Sequence, residues 1–97
     1  MEQIINDINT IEYKGLQVSK LTAPDNIEVL HICLEKDTAF KKHISPKDTQ
    51  LIVLEGCITF HINHKEFVLN KHQVFNFEKQ VEHWVEAHEN SKFLILR

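Results

Sequence analysis

His43 opens the run HISPKDTQLIVLEG, which climbs through Leu51-Ile52-Val53-Leu54 to Gly56, and His83 stands in the run FEKQVEHWVEA. The first run is a β-branched stretch stopped by a turn residue, so it reads as a strand and turn with an imidazole at its mouth. Imidazole is the side chain best suited to metal ligation and to proton movement near neutral pH. These two histidines are therefore where chemistry is sought first.

Other chemistries find little support. There is no glycine-rich phosphate loop, no nucleophile elbow and no HExxH sequence. Cys33 and Cys57 are far apart and lack the spacing of a metal or redox site, which makes them reduced thiols. His61, His64, His72 and His88 fall at hairpin tips or on faces expected to be exposed, as ordinary surface residues. His31 shares a strand face with Val29 and Cys33 and is expected to be half-buried and hydrogen-bonded. Glu78, Glu82, Glu86 and Glu89 read as a solvated acidic strip, and Trp84 as core or interface.

The elements that position the two histidines read mostly as strands. Ile27 to Leu34 places Leu30, Ile32 and Leu34 on one face, and Ile58, Phe60 and Ile62 alternate with Cys57, Thr59 and His61. Asn63-His64-Lys65 forms a hairpin tip leading into Phe67-Val68-Leu69, and Phe93 to Leu96 is a last strand apolar on both faces. Ile4, Ile5, Ile8, Ile11 and Tyr13 suggest short extended pieces ending at Gly15, before Leu16-Gln17-Val18. Residues 77–89 are ambiguous. Phe77, Val81, Trp84, Val85 and His88 recur at helical steps, while Glu78, Glu82 and Glu86 would repel by only ~0.2–0.5 kcal/mol per pair, too little to decide.

Ninety-seven residues suffice for one domain, since a chain this short buries only somewhat more than ~60% of its unfolded surface. The net charge is −3 and no basic cluster exceeds Lys41-Lys42, which disfavours nucleic acid as a partner. The longest apolar run, Leu51 to Leu54, is far below the ~20 residues of a membrane helix. The start MEQIINDINT lacks the basic flank and apolar core of a leader, so no membrane is expected and the protein is placed in the cytoplasm.

The spacing around the two histidines resembles the paired motifs of small single-domain, RmlC-like cupins. The first cupin motif runs His-x-His, three or four residues, Glu, six residues, Gly; counted back from Gly56 it falls on His43, Ser45 and Thr49. The second runs Gly, five residues, Pro-x-Gly, two residues, His, and falls on His72, Glu78, Gln80 and His83. Each keeps one histidine, and the resemblance spans roughly residues 27 to 96.

The resemblance implies an all-β cupin-type β-barrel or jelly roll of about eight to ten strands. Residues 1–97 would form one domain, with 1–26 as N-terminal extended pieces and 27–97 as the core barrel. It also favours strand and loop over residues 74–88, with His83 in the barrel. The implied cavity has His43, Ser45, Thr49 and His83 as polar spots, and Gln50 would join only through a bulge that reverses its facing. A divalent transition metal, one of Zn, Fe, Ni or Mn, would be held by His43 and His83. The expected role is small-ligand binding by a cupin that is not clearly catalytic. The alternative is a metal-dependent enzyme, a dioxygenase or isomerase of a small polar molecule. A homodimer is expected, because Trp84, Val85 and the doubly apolar last strand exceed what one such barrel covers.

Overall fold

Alternating side chains turn most of the chain into extended structure. In the computed structural model, which describes residues 2–97, one helical turn, α1 (Asp7–Thr10), precedes the strands. These are β1 (Leu16–Leu21), β2 (Val29–Leu34), β3 (Ala39–His43), β4 (Thr49–Glu55), β5 (Cys57–Ile62), β6 (Lys65–Asn70), β7 (Val74–Phe77), β8 (His83–Ala87) and β9 (Ser91–Leu96). All pairings among the described residues are antiparallel, and four of them nest about the β5–β6 hairpin: β5 with β6, β4 with β7, β3 with β8, and β2 with β9.

The result is two sheets, ordered β1-β2-β9-β4-β7 and β3-β8-β5-β6. They face each other as an all-β jelly roll and do not close into a continuous barrel. Ile32, Leu51 and Phe93 of the larger sheet meet Ile58, Phe60 and Val85 of the smaller one in the core. The helical pattern of residues 77–89 yields to this arrangement, because β7 pairs with β4 and β8 is hydrogen-bonded between β3 and β5. Tertiary pairing on both sides outweighs a helix propensity of about a few tenths of a kcal/mol per residue.

Two turns fix the register. Asn63 and His64 both have positive φ, 53° and 60°, as a two-residue type I′ hairpin requires. Gly56, at φ 89°, joins β4 to β5 against the backbone of Asn90 and Ser91.

The N-terminal stretch departs from expectation at one point. Residues 7–10 form a helical turn where extended chain was expected, closed by bonds from the Asn9 and Thr10 N–H groups to the Asn6 carbonyl. β1 is an N-terminal extended piece as expected, an edge strand of the larger sheet paired with β2 from Leu16 to Leu21, and it adds no residue to the buried core cluster. The same segment lies along the outer face of that sheet. Lys92 Nζ donates to the Ile8 carbonyl at 2.6 Å and sits 5.2 Å from the Tyr13 ring.

Two histidines are also more enclosed than their patterns suggest. His31 is buried rather than half-buried, and its Nε2 has no hydrogen-bond partner among the described residues. His61, expected at the surface, is buried under the ring of Trp84, stacked at 4.6 Å and 3°. Its Nε2 lies 2.6 Å from a Glu86 oxygen but out of line for a hydrogen bond.

Candidate functional site

His43 ends β3 and His83 begins β8, and the two are direct cross-strand partners. A bulge between Phe40 and His43 sets two residues of β8 against one more of β3 than regular pairing allows. It turns His43 to the inner face, where its ring stacks on Phe40 at 4.2 Å. His83 packs against Phe60 and Phe77, with ring centroids at 5.2 and 4.7 Å.

The Nε2 atoms of His43 and His83 are 3.0 Å apart. His43 Nδ1 faces the Lys41 carbonyl at 2.6 Å, and His83 Nδ1 faces the Val81 carbonyl at 3.0 Å. A carbonyl only accepts, so both Nδ1 atoms are assigned as the protonated ones and both Nε2 lone pairs point at each other. Two neutral rings carry one proton each, and all are then used on the carbonyls. The gap between the rings is satisfied by one additional proton or by a cation. Burial opposes the proton on His83, lowering its pKa below 6.5; the Val81 carbonyl works against that shift, and the charges of His43 and Arg97 add to it.

These rings line a partly open cavity of about 160 Å³. Its remaining wall is mainly apolar, with Leu51, Phe60, Phe77, Val85, Phe93 and Ile95 from both sheets. Ser45 and Thr49 also line it and are both buried. Their hydroxyls lie 2.9 Å apart, and each is 2.8 Å from the Lys47 carbonyl. Between them they have two protons, one for Lys47 and one for the shared contact, so neither proton is left for a ligand.

Gln50 is on the other side of β4. Regular pairing with β7 from Thr49 to Ile52 leaves no bulge to turn it, and its Nε2 donates to Asn76 Oδ1 at 3.1 Å. The structure thus brings His43, Ser45, Thr49 and His83 together and leaves Gln50 outside.

Arg97 is the wall residue that pattern reading passed over. It continues the inward alternation Ser91, Phe93, Ile95 at the end of β9, and that period of two was the available signal. Its Nε donates to Glu28 Oε1 at 2.6 Å, and its Nη1 donates to Ser45 Oγ at 3.2 Å. The guanidinium in turn holds the Glu28 carboxyl below its usual pKa.

These donors are a poor match for a resident metal. Nitrogens ~2.0–2.1 Å from one ion and at right angles would be about 2.9 Å apart, close to the histidine separation, but catalytic zinc sites supply three protein ligands. Among the described residues no group of three or more His, Cys, Asp or Glu side chains is placed to hold a metal ion. Two imidazoles beside two committed hydroxyls do not make a tight metal site.

No family model matches the sequence, and no curated relative matches it. Solved structures do. A conserved protein of unknown function from Streptococcus pyogenes superposes with a TM-score of 0.82 at 18% identity, covering 99% of this chain and 87% of that one. A cupin superfamily protein from Desulfitobacterium hafniense gives 0.85 at 14% identity, with 99% and 90% covered. A cupin 2 conserved barrel domain protein from Leptotrichia buccalis gives 0.83 at 24% identity, with 95% of this chain and 46% of that one covered.

Proposed function

This is a small cupin-fold chain, and we propose that it binds a small molecule in the cavity between its sheets, without a catalytic role of its own. The carrying observation is the cavity of about 160 Å³, where apolar walls surround a few convergent polar groups, His43, His83 and Arg97. Such a combination is the usual make-up of a ligand site, here in a small version. Soaking crystals with a fragment set tests this. Density for a fragment against Phe60 and His83 is expected, and a Leu51→Trp variant, which fills the space, should lose it. Fragments found only outside the cavity would end the proposal.

A metal-dependent enzyme of dioxygenase or isomerase type is the second reading. It is favoured by the two facing Nε2 atoms at 3.0 Å, each ring held by a carbonyl in the manner of metal-ligating histidines. Stoichiometric metal in the purified protein, lost in both His43→Ala and His83→Ala, would favour it. Metal content below one tenth of the protein would remove it.

The proposal extends to a cytoplasmic homodimer. Cys33 and Cys57 are both free, as expected of a reducing compartment. Among the described residues no helix is long and apolar enough to cross a membrane. Edge strand β1 exposes Leu16 and Val18, at 40% and 49%, which supports association through that edge. Sedimentation should give twice the chain mass, and a Val18→Lys variant half of that; a monomeric parent protein would count against the dimer.

A further inference from the structure

We propose that the ligand of the cavity is a short-chain carboxylate, with its carboxyl group on Arg97 and its hydrocarbon part against the apolar wall. This rests on the reading that the cavity binds a small molecule. Three features support the class.

The first is charge. No Asp or Glu lines the cavity, so an anion entering it meets no like charge at the wall. Glu28, which pairs with Arg97 Nε at 2.6 Å, lies outside the lining and is also shared with Lys20 at 3.8 Å.

The second is hydrogen-bonding capacity. A guanidinium has five N–H donors, and the bonds to Glu28 and Ser45 use two of them. The Ser45 and Thr49 protons are committed to each other and to the Lys47 carbonyl, so these hydroxyls position Arg97 and recruit no ligand themselves. The strong donor remaining at that end is Arg97, whose forked geometry suits a carboxylate.

The third is size. The cavity of about 160 Å³ is close to the ~150 Å³ engineered cavity that holds benzene, so it seats about six non-hydrogen atoms of an occupant. Butanoate has that size, and its propyl chain would meet Leu51, Phe60 and Phe93. An amine of the same length would bring its cation beside Arg97.

The probes are butanoate, butanamide and butan-1-ol, titrated into the full chain at millimolar concentration with and without a metal chelator, followed by methyl and amide chemical shifts. Charge-assisted hydrogen bonds should make butanoate about 10-fold or more the tightest of the three. Arg97→Gln should erase that preference while leaving butan-1-ol binding unchanged. Arg97→Lys, which keeps the charge without the fork, should retain part of it. If Arg97→Gln fails to fold, Ser45→Ala decides: loosening the guanidinium should weaken butanoate and spare butan-1-ol. Equal binding of all three would overturn the carboxylate while leaving a ligand-binding cavity. Shifts from none of them would overturn both readings, and butanoate binding abolished by the chelator would assign the carboxyl to an ion instead of Arg97.

Discussion

Phe40 and His43 lie on the same inner face of β3, rings stacked at 4.2 Å, although three residues apart in a strand where such a spacing puts side chains on opposite faces. The β3 bulge is what unites them, and the histidine contact depends on it. Deleting Lys42 leaves His43 two residues after Phe40, so regular alternation alone then holds both on the inner face and keeps His43 opposite His83. The imidazole nitrogen spectrum is expected to retain the His43–His83 contact with the bulge removed. Loss of the pair in that deletion would show that the bulge aligns the two rings by more than its effect on facing.

Acid should weaken the fold through His31 and His83. Burial lowers both pKa values from 6.5, with Lys92 adding to the effect on His31. The sign follows from the unfolded chain, which takes up protons first: stability is full above pH ~6.5 and declines as pH falls toward and through the folded values. The slope is at most ~1.4 kcal/mol per pH unit for each group. Because the His31 Nε2 has no partner, His31→Leu should be neutral or stabilising at pH 7 and should flatten the decline. Urea titrations from pH 7.5 to 5 measure this, and a pH-independent midpoint in the parent chain would contradict it.

Gly56→Ala should be among the costliest single changes. A Cβ there falls 2.5 Å from the Asn90 carbonyl oxygen and 2.8 Å from Ser91 Cα, at a φ of 89°. Backbone strain of this kind costs roughly 1–3 kcal/mol before the overlap is counted. A loss of more than about 2 kcal/mol in chemical denaturation is expected. Gly15→Ala is the control, because it has the same backbone constraint with nothing within 4 Å.

Much of the frame is legible in the sequence because it depends on local alternation. Ile58, Phe60 and Ile62 point inward as their period of two requires, and Trp84 points away from His83. The facing of His43 was not readable, since a bulge leaves no trace in composition and depends on which β8 residues stand opposite. Arg97 was readable from alternation but lay outside any motif, and motifs drew attention to Gln50 instead. The burial of His31 and His61 comes from tertiary cover, the N-terminal segment's course and the Trp84 ring, which no local window contains.

The nesting of the strand pairs also orders events in time. Closing a loop is easier for near residues than for distant ones, so the hairpin at Asn63 and His64 can form before its surroundings. Each later pair encloses the one before, and the contacts between His43 and His83, 40 residues apart, and between Glu28 and Arg97, 69 apart, belong to the outer layers. The cavity between the sheets is then expected to be among the last parts of the molecule to form. Substitutions at the Asn63-His64 turn should slow refolding, whereas those at Arg97 should leave refolding alone and hasten unfolding, a division that the two arms of a chevron plot display.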